Sequence, residues 1–317
     1  ITCRDWSSDV CSSDLKPGYR EGTIVSEVRF WKSSHSTHIA VVDSQDDELT
    51  AAECQVYGYR REIPGHGRLG DMGNCEVFTP MTQFLRANQR LFLERRHMHD
   101  IAVLRSQPAI NYNNATTHEQ VMAFEQTLAI EKYPWGIIYD QQIADLSGYR
   151  IIALPDIQPV SDAWLEALDR FMRAGGGVIA SGDAAGYDAW YRSRDPGHAL
   201  ARWLGHRPEK RYETAVIGQG RFVYVPRWEA HTKWDLSDWF SVWGTNVMPV
   251  RDRQLFNKAI DDATAGRPLT HRVTGNDRVF VEAIADQAGP SSGIDLHVIN
   301  YDPSWTEPVM EIGRAHV

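Results

Sequence analysis

Cysteine is scarce in this chain, and its distribution removes one class of chemistry. The 317 residues contain four cysteines, and none lies beyond Cys75. No two of them have a C-x-x-C spacing and none is matched with metal-spaced histidines, so the sequence predicts neither a disulfide framework nor a zinc site. The long segment after Cys75 has no thiol that could act as a nucleophile. The cysteines do not indicate whether the protein resides in a reducing or an oxidising compartment.

The sequence also lacks long apolar runs, a basic excess, internal repeats and low-complexity tracts. No run reaches about 18 apolar residues, so no membrane span is predicted. Lys and Arg number 33 against 42 Asp and Glu, which gives a formal net charge of −9. This acidic balance argues against nucleic acid as the main partner. The 42% hydrophobic content is ordinary for a packed globular core.

The two ends of the chain match translated sequencing adapter. Residues 5–15, DWSSDVCSSDL, agree residue for residue with the translation of a common library adapter, and residues 311–317, EIGRAHV, agree with its reverse complement. We therefore predict that residues 1–15 and 311–317 are adapter-derived and non-native, and that the chain is an incomplete fragment. The alternative is a genuine tail that matches by chance. Because the head holds one Arg against three Asp, about −7 of the charge is then native.

From residue 100 onward, short apolar runs alternate with amphipathic stretches, the pattern of βαβ units and a parallel sheet. Ser161 or Asp162 is a candidate N-cap for the helix that follows Pro155, and Gly175 is a candidate for its left-handed end. At least five strands with intervening helices predict a three-layer α/β sandwich. The predicted strands lie at residues 100–104, 136–139, 150–154, 177–180 and 222–225, and the predicted helices at 117–133 and from 161 or 162 to 174.

The flanking regions carry thinner signals. We predict strands at residues 24–31 and 37–43, helices at 47–57, 79–97 and 251–264, and a Gly-rich loop at 65–74. Residues 278–284 and 294–299 are two apolar-rich segments separated by a Gly/Ser/Pro turn, which predicts the start of an antiparallel β unit.

Six phrases, in order, carry a family resemblance. They are FLRANQRLF (84–92), IAVLRS (101–106), YRIIALP (149–155), GGGVIASG (175–182), GQGRFVYVP (218–226) and LHVINY (296–301). Together they resemble the back half of glycoside hydrolases related to the family-42 β-galactosidases. In those enzymes a catalytic (β/α)8 barrel precedes a glutamine-amidotransferase-like trimerisation domain and then a β-sandwich. The resemblance covers about residues 80 to 305.

The resemblance implies a division of the chain into three native parts. Residues 16–78 would be the C-terminal remnant of the barrel, residues 79–266 a flavodoxin-like, class I glutamine-amidotransferase-like α/β domain, and residues 267–310 the start of the β-domain. Amidotransferase chemistry needs an activated Cys at a strand-to-helix elbow. The turn at residues 182–186, GDAAG, is placed like such an elbow but carries Asp183, so we predict a structural turn, with a ligand-binding loop as the alternative.

Other constellations are weaker. GHGRLG at residues 65–70 fits G-x-G-x-x-G but follows Pro64 and a predicted helix, so a flexible loop is favoured over dinucleotide binding. Two histidine pairs could share a metal but lack a third nearby ligand; they are His35 with His38, and His97 with His99. For the second pair we favour a helix end, where cations suit the helix dipole. We predict neither a metal nor a cofactor.

Aromatic and acidic residues offer two further candidates. Tryptophans cluster with Tyr224, and this patch suits protein core or interface better than sugar stacking; the tryptophans are Trp228, Trp234, Trp239 and Trp243. Retaining glycoside hydrolysis needs two carboxylates from different barrel strands. Glu27, in a predicted strand, is the one residue that could be a leftover nucleophile, and an ordinary strand carboxylate is the favoured interpretation. We therefore assign no catalytic residue within the chain.

Three functional hypotheses remain. The leading one is a fragment of a glycoside hydrolase with a carbohydrate substrate, whose α/β domain is non-catalytic and joins protomers, as a trimer by resemblance. The second is a stand-alone flavodoxin-like module that binds a small ligand outside the carboxyl ends of its strands. The third is a degenerate amidotransferase or peptidase relative that serves as a scaffold.

Overall fold

The computed structural model of the 317-residue chain describes residues 41–42, 65–66, 83, 87, 95–195, 197–229, 250–274, 279–286, 294–300 and 310–315. The chain divides into two compact units. One comprises Ile1–Met98 with Val273–Val317 and is called the β unit here, and the other comprises His99–Arg272 and is called the α/β unit. No helix among the described residues is long and apolar enough to span a membrane.

Twelve strands are described. They are β1 (Val41–Val42), β2 (Gly65–His66), β3 (Arg95–His97), β4 (Ile101–Arg105), β5 (Trp135–Tyr139), β6 (Ile151–Pro155), β7 (Gly177–Ser181), β8 (Glu213–Ile217), β9 (Gly220–Val225), β10 (Val279–Asp286), β11 (Ile294–Asn300) and β12 (Met310–Ala315).

The α/β unit is built on a six-stranded sheet with the order β5-β4-β6-β7-β9-β8. The first five strands in this order are parallel, and β8 joins the edge antiparallel to β9. The interior strands β6 and β7 are buried along their whole length, as expected for a sheet covered on both faces. The predicted α/β class with a parallel sheet is confirmed. The edge strand β8 was missed because it alternates between half-buried and exposed residues.

Four α-helices are described: α1 (Gln107–Ile130), α2 (Asp162–Arg173), α3 (Ala201–Leu204) and α4 (Arg253–Ala263). A 3-10 helix, Asp140–Ala144, follows β5. Helix α1 packs on α4 through Phe124 and Phe256, whose ring centroids are 4.9 Å apart. The chain passes from β4 through α1 to β5 in one direction along the sheet, and from β6 through α2 to β7 in the other. Because such crossovers are right-handed, α2 lies on the face of the sheet opposite α1.

Helix α1 begins ten residues before its predicted start. Pro108 lies in its first turn, where a missing N–H costs nothing. The Asn-rich stretch that follows has low helix propensity, which hid the helix from the periodicity. The N–H of Gln107 donates to Asp140 Oδ2 at 2.7 Å, so a carboxylate from another element stabilises this start.

Helix α2 forms where the sequence predicts it. Ser161 is the cap, since its Oγ accepts the N–H of Trp164 at 3.2 Å. Gly175, two residues after the end of the helix, has φ +103°, the left-handed conformation predicted there. One detail of the preceding strand was wrong: Pro155 is the last residue of β6 and pairs with Ser181. Proline is tolerated there because the pairing of β6 with β4 ends at Ala153, so no β4 residue is paired with Pro155.

The β unit contains a four-stranded antiparallel sheet with the order β12-β11-β10-β3. The predicted pairing of the segments at 278–284 and 294–299 is confirmed. Most of β12 lies in the adapter-like tail. Strand pairing uses backbone groups that every residue possesses, so this pairing carries no information on the origin of the tail.

Two predictions in the β unit need correction. Residues 95–97 were predicted to end a helix, but they form β3, because their backbone pairs with β10 at residues Ile284–Asp286. Gln83 and Ala87 of the same predicted segment are helical. Gly65 and His66, predicted as loop, pair in parallel with β1. The predicted strand at 24–31 and helix at 47–57 lie outside the described residues.

Candidate functional site

The carboxyl edge of the parallel sheet is the place where an open α/β sheet offers a binding site. In the α/β unit, β4, β6, β7 and β9 all end at this edge. The residues that follow β6 and β7 form its centre: Asp156, and the turn at residues 182–186, which we call the elbow.

All five backbone N–H groups of the elbow donate within the protein. Gly182 donates to Val225 O, Ala184 to Ser181 O, Ala185 to Ile157 O and Gly186 to Asp183 O. The N–H of Asp183 donates to Asp156 Oδ1 at 2.8 Å. An oxyanion hole requires backbone donors aimed at the reacting atom. The elbow amides are already committed to protein acceptors, so this turn offers no such donors.

Asp156 is a buried carboxyl, 5% exposed, in a left-handed backbone conformation with φ +51°. Its N–H bonds with Ser181 Oγ at 3.1 Å, and its carbonyl accepts the hydroxyl of Thr117. Burial raises its pKa to about 6; the Asp183 N–H opposes that rise, and the nearby Asp183 charge adds to it. Attraction to the Arg227 charge and a hydrogen bond from the Gln158 side chain both lower this pKa.

Asp183 pairs with His198, and the pair has no spare basic nitrogen. His198 Nδ1 accepts the N–H of Leu200 at 3.2 Å. The proton of the neutral ring therefore lies on Nε2, which is 3.3 Å from Asp183 Oδ1. A catalytic His–Asp pair needs its second nitrogen directed at a nucleophile or substrate. Here the second nitrogen is bound to the backbone, so this geometry does not provide a general base.

The switch point of the sheet lies between β4 and β6. The strand that follows β4 in the chain, β5, lies on one side of β4, and the next strand, β6, lies on the other. A bound anion would occupy the N-terminus of α1 there. That position is taken by Asp140, which accepts the Gln107 N–H. The backbone carbonyl of Asp140 also accepts the indole N–H of Trp164 at 3.1 Å. Burial raises the pKa of Asp140, and the Gln107 N–H opposes that rise.

A buried ion pair lies beside the switch point. Arg105, the last residue of β4, binds Glu125 of α1 in a bidentate arrangement at 2.9 and 2.7 Å. The Glu125 side chain is fully buried. Burial alone would lower the pKa of Arg105, but attraction to Glu125 and Tyr139 raises it overall. This pair joins the helix to the sheet, with the carboxylate fully buried and the arginine side chain 19% exposed.

The tryptophan patch divides into buried and undescribed parts. Trp228 is 1% exposed and packs against Phe124 and Phe256, so it belongs to the core and does not offer a face to a sugar. Tyr224 is 5% exposed, and its hydroxyl donates to Gly182 O. The other three tryptophans of the patch lie outside the described residues; they are Trp234, Trp239 and Trp243.

An exposed aromatic group that sequence reasoning missed follows the elbow. Residues 187–194, which we call the aromatic loop, carry Trp190, which is 74% exposed. Tyr191 stacks between Tyr187, at 4.3 Å, and Tyr112, at 5.1 Å. Asp188 holds the loop, since its Oδ1 accepts the N–H groups of residues 190 and 192. The signal was the Y-x-x-W-Y spacing after a turn.

The remaining sequence candidates do not meet at this edge. His97 lies on β3 of the β unit, with Nδ1 3.5 Å from Glu282 Oε2. His99 lies in the α/β unit, where its ring packs against Gly136 so closely that a Cβ there would be 2.1 Å from Nδ1. Candidates outside the described residues are Glu27, His35, His38, Cys54, Cys75 and residues 67–70 of the G-x-G-x-x-G motif.

Comparison with known proteins shows where this fold occurs. No protein-family model matches the chain, and no curated protein matches it. A β-galactosidase from Rahnella sp. R3 matches with TM-score 0.62 and 12% identity, over 95% of this chain and 57% of that one. A GH42 β-galactosidase from G. stearothermophilus matches with TM-score 0.58 and 11% identity, over 90% of this chain and 52% of that one.

The chain has the fold of part of a GH42 β-galactosidase. A catalytic mutant of the G. stearothermophilus enzyme gives the same result, with TM-score 0.59 and 12% identity over 52% of its length. The chain therefore spans about half the length of the structures it matches. At this level of identity the likeness establishes the fold alone.

Proposed function

We propose that this chain is part of a glycoside hydrolase related to the GH42 β-galactosidases, and that its α/β unit is a non-catalytic domain of that enzyme. Two observations support the proposal. The solved structures compared above are β-galactosidases of about twice the aligned length. At the carboxyl edge of the sheet, the five elbow N–H groups all donate to acceptors within the protein.

Strand order supports one part of the proposed domain assignment. The order β5-β4-β6-β7 is 2-1-3-4 when these strands are counted from β4, which is the flavodoxin-like order. This supports a flavodoxin-like, class I amidotransferase-like domain, whose proposed bounds, residues 79–266, come from the family resemblance. From the family resemblance we further propose that residues 16–78 are the end of a (β/α)8 barrel and residues 267–310 the start of a β-sandwich, and from the adapter match that the ends at 1–15 and 311–317 are adapter-derived.

A structural role fits the contacts at the edge better than chemistry does. The N-terminus of α1 holds Asp140, and His198 has both ring nitrogens engaged. A stand-alone module for a small anionic ligand would need the first position free, and a hydrolase dyad would need a free nitrogen on the second. The α/β unit is therefore a scaffold, which by the family resemblance holds protomers together.

The first test is to recover the source gene without adapter and to express the longer protein. We expect several hundred upstream residues of βα repeats with two strand-end carboxylates. The longer protein should hydrolyse an aryl β-galactoside, whereas the 317-residue chain should give no turnover above a blank. A start codon within about ten residues of Lys16 would contradict the hydrolase proposal, because no barrel could then precede the α/β unit.

The second test concerns assembly. We expect the longer protein to elute from size-exclusion chromatography with a light-scattering mass three times that of its monomer. The mass should stay constant when the protein is diluted, because a structural oligomer buries a large apolar interface. A monomeric mass over the whole concentration range would contradict the protomer-joining role while leaving the hydrolase proposal intact.

A further inference from the structure

Asp156 contacts the start of one continuous segment, the elbow and the aromatic loop, residues 182–194, through Gly182 and Asp183. Gly182 covers the carboxyl so closely that a Cβ at that position would be 2.3 Å from Asp156 Oδ1. The Asp183 N–H donates to the same oxygen. With the segment closed, Asp156 is 5% exposed, so most of its surface is shielded from water.

Gln158 connects this carboxyl to the aromatic loop. Its side chain hydrogen-bonds to Asp156 and accepts the Tyr191 hydroxyl at 2.5 Å. Its backbone carbonyl accepts the N–H of Tyr187 at 3.1 Å. The loop is closed at its far end, where the Arg194 N–H donates to Gly186 O at 2.9 Å. Asp156, the elbow and the exposed Trp190 are therefore parts of one hydrogen-bonded assembly.

The charges around Asp156 come from several elements. Asp183 of the elbow opposes its ionisation, and His198 Nε2 is 3.3 Å from Asp183 Oδ1. Arg227, after β9, favours ionisation, although Glu119 of α1 shares that guanidinium at 3.3 Å. The Tyr224 hydroxyl on β9 has its pKa raised to about 12, by burial first and then by the two carboxylates, so it stays neutral.

We propose that the protonation state of Asp156 controls the opening of residues 182–194. The protonated carboxyl keeps the segment closed, and the ionised carboxylate favours an opening that admits water. The exposed aromatic surface carried by Trp190 is thereby held more firmly in acid than at neutral pH. This inference rests on the contacts within the α/β unit and is independent of the proposed hydrolase function.

The sign follows from proton linkage. In the closed form the pKa of Asp156 is about 6, whereas in an open, solvated form it returns toward the ordinary 3.8. Between these values the closed form holds the proton and the open form has lost it. The closed form is therefore most favoured below about pH 4, loses that advantage as the pH rises to about 6, and stays at the lower level above. The full range is about 100-fold in the opening equilibrium.

Hydrogen exchange measured by mass spectrometry on the whole chain tests the proposal. After correction for intrinsic exchange rates, peptides covering residues 182–194 should lose roughly 10- to 30-fold in protection between pH 4.5 and pH 7.5. In Asp156→Asn the loss should vanish, because the amide does not titrate. Asparagine suits the left-handed conformation at this position, so the variant should fold, which circular dichroism checks.

Two further variants separate Asp156 from its neighbours. Asp145→Asn, at an exposed position outside the segment, should keep the full pH effect. Asp183→Asn should keep a reduced effect, since it removes one charge that opposes ionisation of Asp156. The proposal is overturned if wild-type protection of residues 182–194 is the same at both pH values. It is equally overturned if Asp156→Asn retains the loss while Asp183→Asn abolishes it.

Discussion

Replacing Gly220 with alanine should cost at least about 3 kcal/mol of unfolding free energy, one of the largest single-residue effects in the α/β unit. A Cβ at this position would be 2.0 Å from Gly176 O and 2.4 Å from Met172 O. Both obstacles are backbone atoms at the end of α2, so no side-chain rotation can relieve the clash. Strand β9 or the end of α2 would have to move.

The matched control is Gly148→Ala. A Cβ on Gly148 meets nothing within 4 Å, and its backbone has no positive φ. We expect the unfolding free energy of this variant to differ from the wild-type value by less than about 0.5 kcal/mol. Urea titrations followed by far-UV circular dichroism compare the two midpoints. Equal midpoints for both variants would show that the α2–β9 contact is loose.

The same contact explains two glycine-rich phrases of the sequence, GGGVIASG and GQGRFVYVP. The first contains the turn after α2 and strand β7, and the second contains the turn between β8 and β9 and strand β9. The two lie against each other: Gln219 N–H donates to Arg173 O, and Arg221 N–H donates to Gly176 O. Sequence alone identifies each as a turn. It does not reveal that Gly220 of the second turn must lack a side chain because the backbone of the first turn lies against it.

Local patterns accounted for most of the α/β unit, and long-range contacts account for what they missed. The buried strands were predictable because parallel strands are apolar along their length. The start of α1 was not, since its stabilising carboxylate, Asp140, lies 33 residues away. Strand β8 was missed because an edge strand is half exposed and needs only β9 as a partner.

The candidate site shows the same division. The elbow and Asp183 were recognisable from a Gly-rich turn after a strand. Asp156 and His198 were not, because their roles depend on partners brought from other elements: Asp183 lies 27 residues from Asp156 and 15 from His198. Parallel topology could have supplied one signal, since Asp156 directly follows β6 at the edge where the elbow also lies.

Removing one partner of the Arg105–Glu125 pair should also have a large effect. Glu125→Leu leaves the Arg105 guanidinium, whose side chain is 19% exposed, without its bidentate carboxylate. An uncompensated charge at such a site costs about 3–5 kcal/mol. The destabilisation should appear as a lower urea midpoint. The exposed pair of Arg207 and Asp195 is the control, and Asp195→Ala should change stability by less than about 1 kcal/mol.

The double variant Arg105→Met with Glu125→Leu decides whether the loss comes from the stranded charge or from the lost contact. An apolar pair of similar volume fills the space and removes both desolvation costs, so we expect most of the stability lost in Glu125→Leu to return. If the double variant is as unstable as the single one, the ion pair itself is required to join α1 to the end of β4. If it recovers, the pair sets the position of α1 at some cost in stability. In that case the two charges fix the geometry of the carboxyl edge and do not increase the stability of the fold.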